Sequence, residues 1–97
     1  LARIVAGGMI ENVYRLQIMN ATESEQSYRI TVTGLPGLTV ASEDLATVGP
    51  TESRWVAVRL QLPYEAAGPG THPIHFEITA QEGAASVHEK SVFLVPR

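Results

Sequence analysis

Cysteine is absent from all 97 residues of this chain. That single absence removes disulfides, thiolate metal sites, iron–sulfur ligation and cysteine nucleophiles. It leaves the compartment open, because a domain with a sufficient core persists in an oxidising space without a disulfide. Positive charge is scarce as well. Seven Lys and Arg against ten Asp and Glu give a net charge of −3, and no basic run could track a phosphate backbone, so nucleic acid is not an expected partner. No apolar run approaches the roughly 20 residues of a membrane-spanning helix, and no signal peptide is visible, so direct membrane insertion by this stretch is not expected. Charged residues make up 18% of the chain, but its 44% hydrophobic content is ordinary for a sequence that folds. The length fits one domain over 1–97. A start at Leu1 rather than Met reads as a fragment cut from something longer.

Helical periodicity is the other thing missing. No window of about 11 residues repeats every 3.6 without meeting Gly or Pro, and Ser42 to Val48 is the one place for a helical turn. What recurs instead is alternation with period two. Tyr14, Leu16 and Ile18 alternate with Arg15, Gln17 and Met19; Tyr28, Ile30 and Val32 with Arg29, Thr31 and Thr33. The pattern returns at Val56, Val58, Leu60 and Leu62 against Trp55, Ala57, Arg59 and Gln61, and at Ile74, Phe76, Ile78 and Ala80 against His75, Glu77 and Thr79. Each is the signature of a half-buried strand. Shorter runs at Arg3 to Ala6, Leu38 to Ala41 and Val87 to Val95 bring the total to about seven strands.

Turn residues separate these runs: Gly7-Gly8, Asn20 to Gln26, Leu35-Pro36-Gly37-Leu38, Gly49-Pro50, Ala66 to Gly70 and Glu82-Gly83. Pro36-Gly37 suits the centre of a type II turn, since Pro presets φ and Gly accepts a positive one. The expected fold is therefore all-β, an immunoglobulin-like antiparallel β-sandwich. With neither a cysteine pair nor a tryptophan on the third strand, it is immunoglobulin-like in layout only. The expected core is Tyr14, Leu16, Ile18, Ile30, Val32, Val56, Val58, Leu60, Ile74, Phe76, Ile78 and Phe93.

Catalytic patterns are missing. Serines 24, 27, 42, 53, 86 and 91 lack a Gly-x-Ser-x-Gly elbow. The acidic groups Glu23/Glu25 and Glu43/Asp44 fall in expected loops, and Gly68-Pro69-Gly70 lacks the Lys and the helix of a phosphate loop. The chain reads as no enzyme. Three histidines raise copper or zinc, but His72 and His75 stand three apart on a strand and so point to opposite faces. A hairpin closing at Glu82 to Ala85 pairs Gln81 with Ser86. It sets Glu77 opposite Lys90, Thr79 opposite His88 and His75 opposite Val92, leaving His75 and His88 four residues out of step. No metal ligand set is expected, and the thioethers of Met9 and Met19 are isolated.

Asn20-Ala21-Thr22 fits an N-glycosylation acceptor, but turn chemistry favours a side chain that ends a strand and caps the turn. Trp55 either anchors a partner or packs under a neighbouring loop or the first strand, and the second is the default expectation. If the strand at 10–20 pairs with the strand at 54–62, Arg15, Gln17, Met19, Trp55 and Arg59 share one outward face. That residue mixture is enriched in interface cores, which makes the face the expected partner contact.

The order of segments is also informative. "GMIENVYRLQIMN", "YRITVTGLPG", "VAVRLQLP", "GTHPIHFEITA" and "EKSVFLVP" together resemble the C-terminal immunoglobulin-like domain of the FixG (CcoG) family of cytochrome c oxidase accessory proteins. The likeness is sharpest at Gly8, Ile10, Asn12, Tyr14, Leu16, Ile18 and Asn20, at Gly70, His72, Ile74 and Phe76, and at Glu89, Phe93 and Pro96. Gly7 departs from it, where a polar turn residue is expected.

The resemblance implies a parent with an N-terminal membrane part, a ferredoxin-like segment binding [4Fe–4S] clusters, and this domain on the periplasmic side of the bacterial inner membrane. It implies a role in assembly of the cbb-type oxidase and in copper handling, with protein partners in the parent's membrane part or an oxidase subunit. No cofactor is implied for this domain itself, whose matched positions read as fold-defining. Two alternatives stay open: a transient copper-binding domain using His72, His75 or His88, and an unrelated immunoglobulin-like adhesion or carbohydrate-binding module.

Overall fold

The computed structural model describes residues 2–83 and 85–97. Eight strands make up its regular structure: β1 (Ala2–Val5), β2 (Met9–Met19), β3 (Gln26–Thr33), β4 (Thr39–Val40), β5 (Leu45–Val48), β6 (Ser53–Pro63), β7 (Gly70–Ala80) and β8 (Ser86–Val95). They form two four-stranded sheets. One runs β1-β2-β6-β4 and the other β5-β3-β7-β8, with every neighbouring pair antiparallel. The eighth strand is β5, which replaces the expected helical turn at Ser42 to Val48. The alternation Leu45, Ala46, Thr47, Val48 buries Ala46 and Val48 and turns the others outward, which is a strand's period and no helix's.

The alternating runs meet as their patterns require. β2 pairs with β6 over its whole length, with Tyr14 opposite Val58 and Leu16 opposite Val56. Between the sheets lie Ile18, Ile30, Val58, Leu60, Ile74, Phe76, Ile78 and Phe93, all buried. Tyr14, Leu16, Val32 and Val56 pack against this core while half-buried, and Ile10, Tyr28, Leu62, Ala80 and Val95 extend it toward the ends. Phe76 and Phe93 are fully enclosed, each stabilising the sandwich by about 1.5–3 kcal/mol through burial. The Tyr14 ring meets the edge of Phe76 at 5.1 Å between centroids and 73° between planes, an arrangement that aromatic quadrupoles favour.

Two turns show how local chemistry directs the chain. Leu38 N–H donates to Leu35 O at 3.2 Å, and Gly37 carries φ +86°, which completes the type II turn that Pro36-Gly37 predicts. Gly34 has φ +130°, and a Cβ there would sit 2.7 Å from Pro73 O and 2.9 Å from Ile74 Cα. Only glycine lets β3 end so close to the backbone of β7.

The hairpin between β7 and β8 departs from expectation. Thr79 pairs with Ser86 and Ala80 N–H donates to Ala85 O, so the loop is 81–84 and not Glu82 to Ala85; Ala84 lies outside the described residues. Gln81 is committed elsewhere, its N–H donating 2.8 Å to Ser27 O of β3. Sliding a loop by one residue moves the ladder by two. Glu77 consequently faces His88, and His75 faces Lys90.

Candidate functional site

The outer face of the β1-β2-β6-β4 sheet carries two contrasting surfaces. At its inner end, near the β1–β2 turn, the carboxylate of Glu11 sits almost sealed beneath neighbours on the two flanking strands, β1 and β6. Arg3 of β1 donates to Oε1 at 2.7 and 3.1 Å; Arg59 and Gln61 of β6 donate to Oε2 at 3.1 and 2.9 Å. The bonds from Gln61 and Arg3, then Arg59, outweigh the cost of burial and hold the Glu11 carboxyl at about 2 against an ordinary 4.5. Glu11 therefore stays ionised and ties β1, β2 and β6 together. Arg59 also donates to Ala41 O. It was an expected contact residue, but its guanidinium is already occupied within the fold, which makes it a weak donor to any partner.

Toward the other end of the same face the expected contact residues do come together. Arg15 lies over the Trp55 ring at 5.2 Å from its centroid, Gln17 stands opposite Trp55, and Met19 stands opposite Ser53. Met19 is 71% and Trp55 57% exposed. Among the described residues neither a loop nor β1 covers Trp55, contrary to the default expectation; β1 lies along the edge of β2 away from β6. A tryptophan stacked under an arginine is a pre-ordered, partly desolvated cation–π pair, and aromatic and arginine side chains are the ones that anchor interfaces.

The histidines are spread out. His72 sits on the inward side of β7 with Nε2 at 2.7 Å from Gly68 O, while His75 is exposed on the opposite face. His88 Nε2 approaches Glu77 Oε2 at 3.1 Å, a consequence of the shifted hairpin register. That register leaves His75 and His88 two residues out of step instead of four. Among the described residues, no group of three His, Cys, Asp or Glu side chains is placed to hold a metal ion. Of the loop carboxylates, Asp44 pairs with Arg29 at 3.0 Å.

Two asparagines matter more than composition indicates. Asn20 is buried, and its Nδ2 donates to Ser24 O, Val48 O and Gly49 O at 2.9–3.1 Å. Its Oδ1 accepts from the N–H and hydroxyl of Thr22. It caps the turn after β2 and pins the β5–β6 turn to it, so its amide is spent on structure. Asn12 joins the two sheets. Its Nδ2 donates to Leu94 O at 3.0 Å and its Oδ1 accepts from Leu94 N–H at 2.8 Å, imitating the backbone of a strand that is not there. Tyr14 Oη donates to Val92 O at 2.8 Å. Partial burial pushes the Tyr14 hydroxyl up to about 12 from 10.0.

Together Asn12 and Tyr14 close the seam between β2 and β8. Further along, the seam opens into a cleft of about 320 Å³ lined by Gln17, Ile18, Met19, Tyr28, Ile78, Val87 and Glu89 among others. The sequence marks Asn12 only as a point of resemblance and Tyr14 as an expected core residue, neither as a bridge between sheets. Glu11 and Asn12 could have been singled out as two consecutive polar residues interrupting an apolar strand, but their partners lie as far as 82 residues away.

Residues 1–96 match a family model described as the immunoglobulin-like fold at the C-terminus of FixG, itself described as a candidate oxidoreductase. Among solved structures, a FixG-related protein from Vibrio parahaemolyticus superposes with a TM-score of 0.83 at 21% identity, over 97% of this chain and 90% of that one. The cupredoxin domain of amoB from Nitrosocaldus yellowstonii reaches 0.59 at 13% identity, over 93% of this chain and 57% of that one. At such identities both speak for the fold alone. No curated protein sequence gives a significant match.

Proposed function

The chain belongs to the family of immunoglobulin-like domains at the C-terminus of FixG, and from that membership we propose that it is a non-catalytic docking or stabilising module. It works on the periplasmic side of the bacterial inner membrane, within a membrane-anchored iron–sulfur protein that serves assembly of cbb-type cytochrome c oxidase and handling of its copper. The clusters belong to the parent's other part, since this chain has no cysteine to ligate them. The observation that carries the docking role is the exposed pair of Arg15 and Trp55, flanked by exposed Met19 and Val13. Its partner is the parent's membrane part or an oxidase subunit. The copper reading gains nothing from the geometry, because His72, His75 and His88 do not converge.

The test is made in the full-length parent with Arg15→Glu and Trp55→Ser together. Arg59 is left alone because its loss would strip Glu11 of a partner. Thermal melting of the 97-residue chain checks that the fold survives. Assembled oxidase should fall several-fold, while Glu77→Lys with Lys90→Glu on the opposite sheet should leave it unchanged. Full assembly with the first pair and a loss with the second would place the contact on the other sheet and overturn the assignment.

A further inference from the structure

Five arginines stand on strands, and all but one of them meet an oxygen within the fold. Arg3 and Arg59 donate to Glu11, Arg29 to Asp44 and Arg54 to Thr47 O. Arg15 meets a ring instead, its guanidinium carbon 5.2 Å from the Trp55 centroid, and among the described residues it enters no ion pair. The β2–β6 register explains why. Around Arg15 on the outer face stand Val13 and Gln17 along β2, Ala57 directly opposite, and Trp55 and Arg59 on the diagonals, so none of its neighbours carries a carboxylate. A cation–π contact engages the charge of a guanidinium but none of its N–H donors. Arg15 is therefore held in place with its donors uncommitted, and a guanidinium's planar fork suits two-point bonding to a carboxylate.

The distribution of charge points the same way. The outward positions of β1, β2, β6 and β4 carry Arg3, Arg15 and Arg59 against Glu11 alone, a positive surplus on a chain whose net charge is −3. All the other carboxylates lie in loops or on the opposite sheet. Two of the three arginines are already bonded to Glu11, so the donor left for a partner is Arg15, beside the exposed apolar surface of Val13, Met19 and Trp55. An anionic lipid surface holds proteins through clusters of basic side chains. One uncommitted arginine and no lysine make no such cluster, whereas a single arginine next to an exposed tryptophan is what the centre of a protein interface uses.

We propose, resting on the docking reading of this same face, that the Arg15–Trp55 pair is the receptor for one Asp or Glu side chain of the partner protein. The carboxylate accepts two N–H groups of Arg15, and apolar neighbours of that acid cover Trp55 and Met19. Gln17, next to Arg15 on the same face, offers a further amide donor. Trp55 is the positioning residue: with the guanidinium already held against the ring, less side-chain freedom is lost when the carboxylate arrives. The partner surface is acidic at its centre and apolar around it, opposite in charge to this sheet.

The test uses the full-length parent in its native membranes and two probes on the same face, both at exposed positions that leave the core intact. Arg15→Lys puts an amine where the guanidinium stood, and a water-soluble carbodiimide then joins that amine by an amide bond to a carboxylate in contact with it. Gln17→p-benzoyl-phenylalanine, irradiated, captures whatever lies against the face regardless of charge. Mass spectrometry of the digested products should show the amine introduced by Arg15→Lys linked to one Asp or Glu of the parent's membrane part or of an oxidase subunit, adjacent to the site that the photoprobe captures. Adding Trp55→Ser should lower the yield of the amide link by about fivefold or more. Photocapture of a protein without a carbodiimide link, or with links scattered over many acids, would overturn the carboxylate receptor and leave the docking role standing. The absence of both products would overturn the docking role as well. Links only to a second copy of this chain, or photocapture of lipid alone, would overturn the assignment to a different protein surface.

Discussion

The seam where β2 and β8 face each other is closed at one end and open at the other, and the difference comes down to two polar side chains. At the closed end Asn12 and Tyr14 reach across and bond the main chain of Leu94 and Val92, with Phe76 and Phe93 buried just inside. At the open end Ile18 and Val87 border a cleft and no side chain spans it among the described residues. An immunoglobulin-like sandwich thus need not seal its lateral edge with a strand. One amide in the right place satisfies both main-chain groups of a residue that would otherwise be orphaned.

Breaking the closed end should cost far more than changing the open one. Phe76→Ala leaves a large cavity against Tyr14 and should lower stability by about 3–5 kcal/mol, measured by urea unfolding. A variant as stable as the parent would remove Phe76 from the centre of the core. Asn12→Ala strips Leu94 of both its partners and should cost about 1–3 kcal/mol. Asn12→Asp should not rescue it, because a carboxylate cannot donate to Leu94 O. Recovery with aspartate would show that the bond to Leu94 N–H alone closes the seam.

Titration sharpens the same comparison. The Tyr14 hydroxyl lies at about 12 in the fold against 10.0 when free, so the neutral, donating form is favoured by folding. Its contribution is fully present below pH 10 and is lost as the pH rises from about 10 to about 12. Tyr14→Phe should cost about 1 kcal/mol at neutral pH and flatten this alkaline limb. Glu11 has the opposite sign: its carboxyl is held at about 2 against 4.5, so its stabilisation is present above pH 4.5 and is lost as the pH falls toward 2. Glu11→Gln should flatten the acid limb and leave the alkaline one alone. At the open end, Val87→Ala should change stability by no more than about 0.5 kcal/mol. A loss of several times that would mean the cleft is closed in solution.

Alternation in the sequence determined the sandwich class and most of its strands. Four of them, β2, β3, β6 and β7, follow from apolar side chains at every second position, because burial of one face rewards no other conformation, whereas the β5 stretch by itself reads as a place for a helical turn. The turn at Pro36-Gly37 and the cap at Asn20 followed from the conformational freedom of those residue types. The tertiary structure alone decided the β7–β8 register, since Glu82-Gly83 fits more than one four-residue loop and it is the bond from Gln81 to Ser27 of β3 that chooses between them. It alone decided that Arg59 serves Glu11 and that Trp55 is exposed, because each depends on which side chains the paired strands bring together on the outer face. Above all it decided which end of the seam is shut. Asn12 and Leu94 stand 82 residues apart in the chain, and hydrogen bonds, unlike hydrophobic burial, leave no periodic trace in a sequence.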